Sequence, residues 1–130
     1  MTVTTHKGSC HCGKVRFTAG LDLAKGSVRC NCSICAKKRT WLAMTEPDSL
    51  RIETGEDALT TYTFGLERIQ HRFCTTCGVQ TFADVPGKGA VVNLATLDDL
   101  GPDDRAEIAI RYIDGAADRF DRVPEITTYL

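Results

Sequence analysis

Long apolar runs are missing from this chain of 130 residues. No stretch approaches the roughly 18 residues that cross a bilayer as a helix. The N-terminal Met1-Thr-Val-Thr-Thr-His-Lys-Gly-Ser-Cys10 also lacks the apolar core of a signal peptide. Neither a membrane partner nor a secretory leader is expected, and the protein reads as soluble and cytoplasmic. An excess of one charge is missing too. Sixteen Lys and Arg stand against 17 Asp and Glu for a net charge of −1, a balance that offers no field to draw in nucleic acid. Linkers and low-complexity tracts are absent, and the one breaker-rich stretch, Asp84-Val-Pro-Gly-Lys-Gly89, is short enough to be a turn. A single domain over 1–130 is expected.

Helical periodicity is also scarce. No segment sustains a 3.6-residue apolar pattern for the 10–12 residues that let periodicity identify a helix, which excludes the helical crossovers of an open parallel sheet. What the chain does carry is short β-branched or alternating runs: Lys14–Ala19, Ser27–Cys30, Trp41–Thr45, Leu50–Glu53, Leu59–Phe64, Ile69–Cys74, Val79–Asp84, Ala90–Leu94 and Glu107–Tyr112. These predict a mainly β fold of antiparallel, meander-type sheets. Helix is expected only as a turn or two after Cys32, another after Asp98, and a short terminal helix over Ala116–Arg122. Aromatic residues make up 7% of the chain, with one Trp, so few large rings are available to fill a core and another staple is required.

That staple is cysteine. Seven occur, an odd number that cannot all pair, and in a reducing compartment closely spaced thiols point to metal or thiol chemistry. They fall into three groups: Cys10-His11-Cys12, Cys30-Asn31-Cys32-Ser33-Ile34-Cys35, and Cys74-Thr75-Thr76-Cys77. A C-x-x-C turn brings two sulfurs to one metal, and Gly78 suits the turn after Cys77. Gly8 or Gly13 gives the C-x-C segment similar freedom. A structural zinc takes four ligands, and a catalytic one takes three and keeps a position open. Seven thus divides into Cys10, Cys12, Cys74 and Cys77 for a closed site and Cys30, Cys32 and Cys35 for an open one. Spacing leaves other groupings of four possible, and His11 or His71 is available to complete the trio. Lys37, Lys38 and Arg39 follow the trio at once, with Arg29 before it, in range to bind a substrate carboxylate or to form a solvated face.

Three segments carry a family likeness: Gly8-Ser-Cys-His-Cys-Gly-Lys-Val-Arg-Phe17, Cys30-Asn-Cys-Ser-Ile-Cys-Ala-Lys-Lys38 and Phe73-Cys-Thr-Thr-Cys-Gly-Val-Gln-Thr-Phe82. The chain resembles the glutathione-dependent formaldehyde-activating enzymes, and within them the branch containing centromere protein V. Further marks of that branch are Thr60-Thr-Tyr-Thr-Phe64, His71-Arg-Phe-Cys74, Asn93 and Leu97-Asp98. The resemblance implies twisted antiparallel sheets of the zinc-bearing β-tent type and two zincs per chain, divided as above. It also implies a carbon–sulfur lyase that joins formaldehyde to glutathione or reverses that reaction. A non-catalytic, zinc-stabilised binding module is the alternative. Ile113-Asp-Gly-Ala-Ala-Asp-Arg-Phe120 is similar to a family stretch that ends near a Trp, but no Trp is present here.

Among the remaining candidates, His11 reads as a solvent-facing residue of its knuckle, and His71 as facing either a pocket or the core. Trp41, Tyr62, Phe64, Phe73 and Phe82 read as core, and Asp98 and Asp99 as a solvated turn without chemistry.

Overall fold

A computed structural model describes residues 2–130. The protein is mainly β, with ten strands in two sheets and two short helices among the described residues. The smaller sheet has the order β1-β2-β5, formed by Thr4–Ser9, Arg16–Leu21 and Arg51–Thr54. The larger adds β3 (Ser27–Cys30), β4 (Leu42–Met44), β6 (Leu59–Tyr62), β7 (Gln70–Cys74), β8 (Gln80–Val85), β9 (Gly89–Asn93) and β10 (Ile110–Ile113). Its order is β10-β3-β4-β9-β8-β7-β6.

The core lies where the sheets face each other. Alternation along β2 buries Phe17, Ala19 and Leu21, which meet Phe82, Val92, Leu94, Leu97 and Trp41 from the larger sheet and its connections. The rings of Phe17 and Phe82 pack edge to face at 5.8 Å. Gly8 is required here for space: a Cβ would overlap the Phe17 ring. The freedom to turn belongs instead to Gly13, at φ +80°. The turn at Asp98 and Asp99 is structural. Ser9 Oγ donates to Asp98 at 2.6 Å and the Lys7 N–H to Asp99 at 3.0 Å, while His6 Nδ1 lies 3.2 Å from the Asp99 carboxylate. These bonds fasten β1 to the segment that follows β9.

Three expectations are corrected. β10 runs parallel to β3, a pairing that the expected antiparallel meanders did not include. The crossover that a parallel pair requires is supplied by the many intervening strands and not by one helix. The terminal helix is a single 3-10 turn, Gly115–Ala117. Asp118 ends it in the left-handed region at φ +56°, and the Asp114 carbonyl draws off the Arg119 N–H. β1 was not expected, because its inward positions are His6 and Gly8, which carry no hydrophobic alternation. The expected turns after Cys32 and Asp98 are α1 (Ser33–Lys38) and α2 (Pro102–Ala106).

Gly8→Ala should lower stability by about 1–3 kcal/mol in chemical denaturation, because the new methyl must displace a fully buried ring. An unchanged midpoint would contradict the close approach of β1 to Phe17.

Candidate metal centres

The seven thiols form two clusters. The Sγ atoms of Cys10, Cys12, Cys74 and Cys77 all lie within 4.8 Å of one another, as do those of Cys30, Cys32 and Cys35. The four-sulfur cluster joins the two sheets, one pair following β1 and the other at the β7–β8 turn. Both pairs sit on hydrogen-bonded knuckles. The Gly13 N–H donates to the Cys10 carbonyl at 3.2 Å and the Gly78 N–H to the Cys74 carbonyl at 2.8 Å, each glycine near φ +80°. The Val15 N–H also donates to Cys10 Sγ at 3.3 Å. Backbone N–H groups of Cys12 and Val79 pull the Cys77 thiol down to about 6. The Lys14 backbone N–H draws Cys12 the same way, but burial and the neighbouring sulfurs prevail and push it up to about 11.

The donor set fits a tetrahedral cation. A metal–sulfur distance of ~2.3 Å gives a sulfur–sulfur edge of about 3.8 Å, and Cys12 Sγ lies 3.6 Å from Cys10 Sγ and 3.7 Å from Cys74 Sγ. His11, between the first two sulfurs, is exposed.

The three-sulfur cluster is built on one short segment. Cys30 ends β3, Cys32 precedes α1, and Cys35 lies on its first turns. The Cys32 N–H donates to Cys30 Sγ at 3.3 Å. The thiols are tied to one another: hydrogen bonds from Cys30 and Cys35 pull Cys32 down, the bond with Cys32 pushes Cys30 up, and the bonds with Cys30, then Cys32, push Cys35 up.

A second segment encloses this cluster, and its role was not evident from the cysteine spacing. A Cβ on Gly115 would overlap Cys30 Sγ and stand 3.1 Å from the Cys32 Cβ. Gly115 is held there by its neighbours. Asn31 Nδ2 donates to Asp114 at 2.9 Å, Arg122 Nε donates to the same carboxylate at 2.9 Å, and the Ala116 N–H donates to Asn31 Oδ1 at 2.9 Å. The bond from Asn31, then that from Arg122, holds the Asp114 carboxyl below its ordinary range.

Beside the trio opens a cavity of about 340 Å³. Met44, Ile69, Val85, Val91, Phe64 and Phe120 supply much of its wall, and Lys38, His71 and Gln80 bring polar atoms. Lys38 donates to Gln80 Oε1, and burial pulls its ammonium below the usual value. Lys37 and Arg39, expected beside it, are exposed and lie outside the lining. The Arg39 carbonyl instead accepts from Arg29, whose guanidinium lies over Trp41. His71 is 7% exposed and faces the cavity, stacked on Phe64 at 5.7 Å. Burial, then the Lys38 charge, pulls its imidazole below the ordinary value. Trp41 and Phe82 are core as expected, whereas Phe64 is cavity wall.

Asp114→Ala should free the Gly115 segment: amides of residues 114–122 exchange severalfold faster while those of β8 and β9 are unchanged. Because its folded pKa is depressed, the stability that Asp114 contributes is present above its unfolded pKa near ~3.9 and is lost as pH falls through the folded value. Equal exchange in variant and wild type would contradict the network.

The chain has relatives of known family and structure. Residues 5–113 match the family model described as glutathione-dependent formaldehyde-activating enzyme. A crystal structure of a Rhodobacter sphaeroides protein is 33% identical, with a TM-score of 0.71 over 81% of this chain and 99% of that one. No helix among the described residues is long and apolar enough to cross a membrane. With its two sulfur clusters on a mainly β frame and a family match over most of its length, the chain belongs to the glutathione-dependent formaldehyde-activating enzyme family.

Proposed function

We propose that this protein is a single-domain, two-zinc carbon–sulfur lyase that joins a small thiol such as glutathione to a small aldehyde and reverses that reaction. The observation that carries this reading is the contrast between the clusters: four sulfurs that close a tetrahedron, and three that abut a cavity. Cys10, Cys12, Cys74 and Cys77 would hold a structural zinc, and Cys30, Cys32 and Cys35 the second. A zinc on three thiolates leaves a position for the substrate sulfur and favours its thiolate form.

The chain's own residues do the rest. Gly115 and the Asn31–Asp114–Arg122 network keep the three sulfurs converged. Lys38 is the cation at the cavity, placed to meet a thiol's carboxylate, while Lys37 and Arg39, its neighbours on the chain, are exposed outside the lining. All seven cysteines are free, which suits a reducing cytoplasm, and the balanced net charge argues against nucleic acid as a partner. Membership of the centromere protein V-like branch rests on Cys30-Asn-Cys-Ser-Ile-Cys35 and His71-Arg-Phe-Cys74.

Calorimetric titration of the zinc-loaded chain tests the reading. Glutathione should bind, and more weakly as pH falls, because protons compete for the sulfur. S-methylglutathione, whose sulfur cannot ionise, should bind at least tenfold more weakly. Equal binding of both would remove sulfur coordination, and binding of neither would favour the non-catalytic module. In metal analysis, Cys32→Ser should lose about one zinc per chain with the sheets intact, and Cys74→Ser should lose the fold, since structural zinc contributes of order 10 kcal/mol. Wild-type metal content and melting temperature in Cys74→Ser would contradict the assignment.

A further inference from the structure

We infer that the cavity beside the three-cysteine cluster is the subsite for an aldehyde carrying an apolar chain or ring, with His71 bonded to its oxygen; this rests on the thiol–aldehyde reading above. Formaldehyde has two heavy atoms and needs little more than the ~30 Å³ of a water molecule. The cavity offers about 340 Å³, within the range of pockets that enclose small organic ligands. Branched, thioether and aromatic side chains make up most of its wall, so water inside it finds few partners while an apolar group would leave water favourably. Met44, Phe64 and Phe120 remain 49%, 43% and 56% exposed, apolar surface that such a guest would cover.

The polar atoms discriminate further. Lys38 and Gln80 satisfy each other, and Lys38 is the one charged side chain lining the cavity among the described residues. A peptide-like thiol with several charges therefore meets a single cation, Lys38, and otherwise apolar wall, so the interior suits an uncharged guest better than such a tail. His71 is different: its Nε2 is buried without a hydrogen-bond partner, an arrangement that costs stability until a guest supplies one. With its hydrogen on Nε2, the ring donates to the aldehyde oxygen. The thiolate sulfur then forms the carbon–sulfur bond, the carbonyl π pair moves to oxygen, and oxygen takes the Nε2 proton. As Nε2 gives up its proton, Nδ1 takes up the proton that the thiol lost on ionising, so the ring passes from one neutral tautomer to the other. Nothing is oxidised or reduced, and the reverse steps release aldehyde and thiol.

Sulfur-free probes test the cavity apart from the thiol reading. Benzyl alcohol, toluene and methanol are titrated into the zinc-loaded chain, followed by the methyl resonances of Met44, Val28 and Val91 and the nitrogen resonances of His71. Benzyl alcohol should saturate these shifts at least tenfold below the concentration methanol needs. Met44→Glu, at a half-exposed wall position, should weaken benzyl alcohol and toluene alike by severalfold. His71→Leu should weaken benzyl alcohol about three- to tenfold and leave toluene unchanged. In the wild-type chain, benzyl alcohol and not toluene should move the His71 Nε2 resonance, a readout that stands if His71→Leu fails to fold. No saturable shift at the cavity, parity of benzyl alcohol with methanol, or an Nε2 resonance indifferent to the alcohol would overturn the proposal. Because no probe carries sulfur, a failed glutathione titration leaves this result interpretable, and failure here leaves sulfur binding standing.

Discussion

Four sulfurs brought within 4.8 Å of one another form the constraint on which this structure turns. Like charges at that separation repel strongly in a partly buried site, so the thiols cannot all ionise unless a cation stands among them. The protein has prepared for one. Backbone N–H groups already draw Cys74 and Cys77 toward the thiolate form, and Cys12 holds its proton. A cation that displaced the proton would join the turn after β1 to the β7–β8 hairpin, and therefore one sheet to the other. In a chain with few aromatic rings, that bond would supplement a core resting largely on Phe17, Phe82 and a set of aliphatic side chains.

The second cluster answers to a different requirement. Its sulfurs come from one short segment, so a metal there fastens no distant parts of the fold. The C-terminal segment converges on it instead: β10 pairs in parallel with β3, and Gly115 lies against Cys30 and Cys32. The Asp114 carboxylate, bonded to both Asn31 and Arg122, couples the shape of the sulfur triangle to chain some 80 residues away. Phe120, on the same segment, lines the cavity, so sulfur geometry and cavity wall are set together.

Much of this was legible in the sequence where local chemistry decides structure. The strand Ser27–Cys30 falls where its β-branched run predicts. Coordination number suggested dividing the cysteines into four and three, while spacing left other groupings open until the sulfurs met in space. Legibility failed where distant partners decide. β1 buries His6 and Gly8 and owes its place to Phe17 and Asp99. The parallel partner of β3 and the role of Gly115 depend on which segments meet in space. Lys37, Lys38 and Arg39 are equivalent in sequence, yet the course of α1 leaves Lys38 alone on the cavity. His71 could face either way until the register of β7 against β6 and β8 put it on the cavity.

The division of labour between a closed and an open cluster is tested most directly by cadmium-113 NMR of the fully substituted protein. Cadmium keeps thiolate coordination, and its resonance moves upfield when oxygen replaces sulfur. Two resonances are expected, one at the four-thiolate position and one upfield of it. Added glutathione should move only the upfield signal, toward the four-thiolate position. Two four-thiolate resonances, both indifferent to glutathione, would contradict that division.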